Sequence, residues 1–598
     1  MRAPRELVAI ALVVLAACKA KGSIDVPAQW PAPRAGAVAT QHPLATSAGL
    51  SILDRGGNAA DAAVAAALVL AVVHPQAGNL GGGGFALWVP HAGEPSALDF
   101  RETAPRATDP ALYLDAGGKR VPERSLRGPH AVGVPGSPRG LWELHRRHGS
   151  GRLAFAELAH RAIELAQQGF EVDEFLARDL AEPETKARFS PAARAVFFPG
   201  GEPLRAKSVL RQPALAEALA LLANEGPDAF YKGRIAEAIV RELDVAPVPG
   251  SDGTGKGWMT LADLASYSVR QERPLRGWFR GHEIVTMPPP SSGGIVLLQV
   301  LGMLEGLPLD AQRDRTVAEQ SLAKPPGGAA ERGFDERMAH WWIECLRSAF
   351  ADRARHLGDP RFHPVPVKEL LSSRWISERR VAIGERANPG VAPWTPHEGE
   401  NTTHLSVLDR AGNAVSLTTT LNDTFGSGLF VRQYGFLLNN EMDDFALQEG
   451  SPNLYGLVGG AANAPLPGKR PLSSMTPTVL RDGGHANVLV VGSPGGPRII
   501  SSVLQVILRT TVLGESLEEA VARPRFHQQW SPPATEFEVG FDPAVVEALE
   551  KRRGHPVKRD TPRFGAVQAI HVPAIGGLPK AVSDPRRGGS GLVQATKR

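Results

Sequence analysis

The sequence predicts an α/β fold built as a layered sandwich rather than a doubly wound sheet, and two observations carry that expectation. Strand-like runs gather in the second half of the chain, "HLSVLD", "AVSLTTTL", "TPTVLRD", "ANVLVVGS" and "QAIHV", while long apolar helical stretches lie elsewhere, able to cover them. With 598 residues, 42% of them hydrophobic, the chain has ample material for a large core, and roughly two to four domains fit its length.

Taken in chain order, Arg2 and Arg5 precede the apolar run from Leu7 to Ala17, too short to span a bilayer and suited to the core of a secretory signal. The run ends in Leu15-Ala16-Ala17-Cys18, which resembles the bacterial lipobox, whose cysteine is lipidated and becomes the first mature residue. The expectation is a signal peptide over 1–17, then a lipidated Cys18 and a Pro/Ala-rich tether to residue 35. That puts the protein on the periplasmic side of a bacterial membrane. More than one acyl chain makes such an anchor stable. An ordinary signal peptide leading to a periplasmic or secreted protein is the plainer alternative.

The stretch "HPLATSAGLSILDRGGNAADAAVAAALVLAVVHPQAGNLGGGGFALWV" reads as helix, Gly-Gly break, helix, glycine turn and strand. Asn58 suits an N-cap with Asp61 in the first turn. Ala62 to Val73 is apolar on every face and is therefore expected inside a large domain. Gly81 to Gly84 reads as a tight packing turn. Further helices are expected over 154–168 and 213–224. Residues 310–334 read as an exposed, charged insertion between two helices. The only cysteine besides Cys18 is Cys345, in the helical pattern "MAHWWIECLRSAF", so no disulfide framework exists and a buried structural thiol is expected.

Composition excludes several functions. The net charge of +4 comes from 66 basic and 62 acidic residues, and no basic run with interleaved aromatics suggests nucleic acid. No HExxH or CxxC occurs, and the histidines are scattered, so no metal is expected. "GSDGTGKG" at 250–257 resembles a phosphate loop, but Gly257 stands where a Ser or Thr must hold magnesium. It reads as a surface loop. Ser321-Leu322-Ala323-Lys324 matches a serine-lysine hydrolase pattern too short to carry weight. No cofactor is expected.

What remains is the hydroxyl-rich hairpin "NTTHLSVLDRAGNAVSLTTTLN". Threonine favours pleated, half-buried surface, so these residues suit a solvated hairpin. They equally suit a nucleophile. A threonine made N-terminal by chain cleavage can use its own α-amine as base, and that amine titrates near neutrality. The residues of the hairpin alone leave both readings open.

The surrounding segments decide between them. The hairpin with "NNEMDDF", "PNLYGLVGGAANA", "KRPLSSMTPT" and "GSPGGPRI" resembles the γ-glutamyltranspeptidase (glutathione hydrolase) family. So do "GGNAADAAVAAALVLAVVHPQAGNLGGGGF", "DFRETAP", "GVPGSPRG", "PPPSSGG", "ADRARHLGDPRF", "RPRFHQQW" and "SDPRR". The resemblance extends from about residue 36 to about residue 590. It implies the four-layer αββα sandwich of the N-terminal-nucleophile hydrolases, built jointly by two subunits cut from one precursor. Here those would be residues 36–401 and 402–598, an obligate heterodimer.

The resemblance also implies roles. Cleavage falls between Asn401 and Thr402, and Thr402 then serves as catalytic nucleophile, oriented by Thr420 on the next strand. Arg101 binds the substrate's α-carboxylate, aided by Ser473 and Ser474. Asn422, Glu441 and Asp444 surround its α-ammonium. The N–H groups of Gly495 and Gly496 form an oxyanion hole, and Tyr455 gates the pocket from the lid loop "SPNLYGLVGGAANA". The implied reaction is ping-pong transfer of the γ-glutamyl group from glutathione and related compounds to water or to an amino-acid or peptide amine. It needs no cofactor.

Three departures from the family pattern stand out: the 310–334 insertion, the lipobox, and Glu441, where some bacterial members carry glutamine. The rival readings are a cephalosporin or glutaryl acylase of the same superfamily and a capsule transpeptidase acting on poly-γ-glutamate. An uncleaved, lipid-anchored binding protein for γ-glutamyl peptides is the third. Acylase substrates lack the α-ammonium, so Glu441 and Asp444 favour the glutamyl reading, and the lid disfavours a polymer.

Overall fold

Two antiparallel sheets face one another, and the threonine hairpin forms the centre of the first. That sheet has seven strands, in the order Ser590–Val593, Ala37–Thr40, Thr402–Leu408, Ala414–Thr420, Gly83–Val89, Ser96–Phe100, Arg270–Glu272. The second has six, in the order Lys580–Ser583, Gln568–His571, Ala486–Gly492, Thr478–Asp482, His282–Thr286, Leu275–Phe279. Both sheets draw strands from either side of Thr402. This computed structural model describes residues 31–310, 334–388, 402–448, 450–574 and 576–596. The expected signal peptide, Cys18, Asn401 and residues 311–333 of the insertion lie outside the described residues.

Period-two alternation explains why so polar a hairpin sits in a core. Thr402, His404 and Ser406 occupy one face of their strand, and in register opposite them Thr420, Thr418 and Ser416 occupy the same face of the next. This polar face meets the second sheet. Ser406 Oγ donates to the Gln568 carbonyl at 2.9 Å and Ser416 Oγ to the Val491 carbonyl at 3.1 Å. His404 is fully buried, its Nδ1 2.8 Å from the Thr418 hydroxyl, and burial lowers its pKa to about 3. The solvated-hairpin reading therefore fails: every residue of both strands is buried.

Leu405, Val407, Val415 and Leu417 point the other way, into the main apolar core. There they meet the Ala59–Val73 helix, all 15 residues of which are buried. Its alanines let the helix lie close on the sheet. Asn58 caps it in a capping box with Asp61, as expected. Asp409, in the hairpin turn, accepts the Ala59 N–H at 3.0 Å, tying the turn to the helix start. Helices also cover the outer face of the second sheet, among them Gly293–Glu305 and Arg498–Thr511.

The other expected helices form over Phe155–Gln168 and Pro213–Glu225, and Cys345 is buried. The glycine run is a correction. Gly83 and Gly84 already belong to a strand rather than a turn. A Cβ on Gly82 would lie 2.0 Å from the Thr420 carbonyl oxygen, and one on Gly84 2.2 Å from that of Thr418. These glycines permit a backbone approach that no side chain allows.

Candidate active site

Thr402 opens its strand with only 4% of its surface exposed. Thr420 closes the neighbouring strand directly opposite, and the two hydroxyl oxygens lie 3.1 Å apart. Two residues on, the Asn422 N–H donates to Thr420 Oγ1 at 2.8 Å. That bond needs Asn422 at φ +78°, a conformation asparagine tolerates better than most residues. Its side chain is fixed in turn by donation to the Asn440 carbonyl at 3.0 Å.

Both threonines line a cavity of about 20 Å³, with Arg101, Asn422, Glu441, Asp444, Tyr455, Ser473, Ser474 and Gly496. That is room for one or two water molecules. Of the residues expected from sequence, Gly495 alone is absent from the wall, although it adjoins it in the chain. The structure thus brings together segments from 101 to 496 around the threonine pair.

The charges are concentrated and buried. Arg101 contacts Glu441 through Nη1 and Asp444 through Nη2, the latter at 2.5 Å, and Glu102 lies 3.6 Å from Nη1. Burial would lower the Arg101 pKa, but Glu441, Asp444 and Glu102 outweigh it and hold the guanidinium charged. Burial raises all three carboxyls, Glu102 to about 7, with Arg101 opposing the shift. Both Glu102 oxygens and Glu441 Oε2 are buried without a hydrogen-bond partner among the described residues. Such a cluster suits an incoming cationic group.

Elsewhere on the wall, the Ser473 carbonyl accepts from Ser292 N–H at 2.7 Å and from Ser292 Oγ at 2.6 Å. The Met475 N–H donates to Ser473 Oγ at 3.2 Å. Gly495 and Gly496 have φ of +124° and +53° and lead into the Arg498–Thr511 helix. Among the described residues neither N–H donates a hydrogen bond, which suits both to an oxyanion.

Tyr455 lines the cavity. Its hydroxyl donates to the Asn422 carbonyl at 2.5 Å, and its ring lies over Gly496, where a Cβ would come within 2.7 Å of it. Asn453 Oδ1 accepts the N–H groups of Tyr455 and Leu457 at 3.0 Å each, while its amide donates to Asp444 at 3.0 Å.

Sequence reasoning missed three residues here. Asp443 anchors the loop that carries Tyr455, accepting from Leu454 N–H at 2.7 Å while Arg120 holds it at 2.8 Å. Gln529 donates to the Tyr455 carbonyl at 3.0 Å. Arg353 lies buried behind the serine pair. Gln529 and Arg353 fall in "RPRFHQQW" and "ADRARHLGDPRF", words that stood out as segments without any residue being assigned.

The chain is similar to known proteins over most of its length. A model of the family described as Gamma-glutamyltranspeptidase matches residues 45–593. The chain is 40% identical over 559 residues to the "Glutathione hydrolase proenzyme" of Escherichia coli (strain K12), covering 92% of this chain and 90% of that protein. It is 36% identical over 545 residues to the "Acylase ACY 1 proenzyme" of Pseudomonas sp. (strain SE83), covering 90% and 89%. Among solved structures, cephalosporin acylase from Bacillus halodurans superposes with a TM-score of 0.78 at 27% identity, over 96% of this chain and 98% of that one.

Proposed function

The chain belongs to the γ-glutamyltranspeptidase family, and on that premise we propose how its residues perform glutathione hydrolysis and γ-glutamyl transfer. The observation that carries the reading is one small cavity in which the Thr402–Thr420 pair, a buried arginine, two carboxylates and two serines converge. A γ-glutamyl group presents an α-carboxylate, an α-ammonium and a reactive amide, and these residues offer partners to each.

Maturation begins with Thr402 Oγ attacking the carbonyl carbon of Asn401. The C–N bond breaks as the ester forms, which frees the α-amine of Thr402, and water then hydrolyses the ester to the Asn401 carboxylate and the Thr402 hydroxyl. Thr420, held by Asn422, orients the hydroxyl. The freed amine then takes the hydroxyl proton as Oγ attacks the substrate's γ-carbonyl. Negative charge gathers on the carbonyl oxygen, facing Gly495 and Gly496 N–H. Collapse expels the protonated amine, cysteinylglycine from glutathione, and leaves a γ-glutamyl ester on Thr402. Water or an acceptor amine resolves that ester and restores the enzyme.

Arg101, Ser473 and Ser474 serve the α-carboxylate in this reading, and Asn422, Glu441 and Asp444 the α-ammonium. Tyr455 and its loop act as the lid. The cavity of about 20 Å³ supports that role, since a glutamyl group needs more room than one or two waters. The mature enzyme is a heterodimer of residues 36–401 and 402–598, supported by sheets that mix strands from both parts. The lipobox supports periplasmic anchoring through Cys18.

The acylase reading has its own support in the Pseudomonas and Bacillus relatives. Glu441 and Asp444 weigh against it, because a glutaryl group carries no ammonium. The test is turnover of γ-glutamyl and glutaryl p-nitroanilides by purified protein, beside N-terminal sequencing of its small fragment. Preference for the γ-glutamyl anilide and a fragment beginning Thr402-Thr403-His404 are expected. Preference for the glutaryl anilide would overturn the substrate assignment.

A further inference from the structure

We propose that Arg353 is a positioning residue for the substrate's α-carboxylate, a second cation that fixes Ser473 and Ser474 and offsets the carboxylates around Arg101. The inference rests on the γ-glutamyl reading and adds to it a residue that the cavity wall conceals.

The charge balance motivates it. Arg101 contacts Glu441 and Asp444 and has Glu102 at 3.6 Å, so one cation faces three carboxyl groups. A carboxylate arriving there meets a guanidinium whose charge is already matched. A second buried cation near the site would favour it further over an uncharged end, since a buried charge without compensation is costly.

Arg353 is such a cation. It lies in the last turn of the Glu336–His356 helix, where the helix dipole favours a cation. It is 5% exposed, and among the described residues no carboxylate approaches it within ion-pair distance. Burial lowers its pKa to about 10, with Asp444 opposing, so it stays charged at neutral pH. Its Nε donates to Ser292 Oγ at 3.0 Å, and Ser292 Oγ donates onward to the Ser473 carbonyl at 2.6 Å. Its Nη2 reaches Ser474 Oγ at 3.5 Å. Both serines line the cavity. One guanidinium therefore braces the serine pair from behind, directly at Ser474 and through Ser292 at Ser473. Donation to Ser474 Oγ leaves that hydroxyl's own proton free to point toward a carboxylate.

The test compares the wild type, Arg353→Met and Arg353→Lys on two anilides. One is L-γ-glutamyl p-nitroanilide. The other is 4-aminobutyryl p-nitroanilide, which keeps the ammonium and the amide but lacks the α-carboxylate. Single-turnover kcat/KM is read on protein shown by gel to be cleaved before Thr402 and by melting to be folded. For Arg353→Met we expect a loss of about tenfold to a hundredfold on the γ-glutamyl anilide, carried by KM, and less than about threefold on the other. Arg353→Lys should recover part of the loss. Equal losses on both anilides, or none on either, would overturn this inference alone. A wild type inert toward both would overturn the γ-glutamyl reading and this inference with it.

Discussion

The hydroxyl oxygens of Thr402 and Thr420 lie 3.1 Å apart because the two residues are paired in register at the open end of a buried hairpin. The sheet, rather than a flexible loop, sets that distance. Thr402→Ala should leave one intact chain on a denaturing gel and no anilide turnover. Thr420→Val keeps the shape and removes the hydroxyl, so self-cleavage should slow and kcat should fall by about 10²-fold with little change in KM. Unchanged kcat in a processed Thr420→Val protein would remove Thr420 from the mechanism.

Arg101 is the centre of a buried charge cluster, so its loss should be felt in stability as well as in binding. Arg101→Met leaves Glu441, Asp444 and Glu102 without their shared cation. Unfolding free energy should fall by about 3–5 kcal/mol, read by denaturant titration. Substituting Glu441→Gln in the same background should return part of it, because a buried Glu441 without its cation must take up a proton or stay unpaired and the amide need do neither. Failure of that second change to restore any stability would show the cluster to be coupled weakly.

Glu102 gives the pocket a pH dependence with a definite sign. Its carboxyl is pushed up from the ordinary glutamate value of 4.5 to about 7 by burial. The protonated form is thus favoured in the folded state. The resulting stabilisation is complete below pH 4.5 and lost as pH rises through 7, on the order of 3 kcal/mol. Glu102→Gln mimics the protonated form. Its melting temperature relative to wild type should therefore rise between pH 5 and pH 8. A constant difference across that range would contradict the assignment.

Packing behind the threonines leaves no space at Gly492. A Cβ there would lie 2.2 Å from His404 Cε1, and His404 holds the Thr418 hydroxyl at 2.8 Å. Gly492→Ala should cost about 1–3 kcal/mol by overpacking and delay appearance of the small fragment. Gly384→Ala, at an open position without positive φ where a Cβ meets nothing nearer than 3.9 Å, is the control for glycine loss without a clash. Equal effects of the two would show that loss of glycine itself, not the His404 contact, is responsible.

Elements with a local signature were legible in the sequence. The alternation in residues 402–420, the all-apolar Ala59–Val73 helix and its Asn58 cap are written in neighbouring residues, because side-chain direction repeats every two or 3.6 residues. The cavity residues could be named only because several long motifs occur in one family's order. Nothing local distinguishes Arg101 or Ser473 from a surface charge and a turn. Arg353 shows where this ends. Its helix was readable, but its place behind Ser474 depends on two segments 121 positions apart. Sequence by itself determined the hairpin strands and the buried Ala59–Val73 helix, since those depend on local periodicity. Only the tertiary structure decided that a polar strand face lies inward and that one arginine faces three acids while another braces two serines. Those arrangements arise from long-range packing, where burial rather than neighbouring residues sets the worth of each charge.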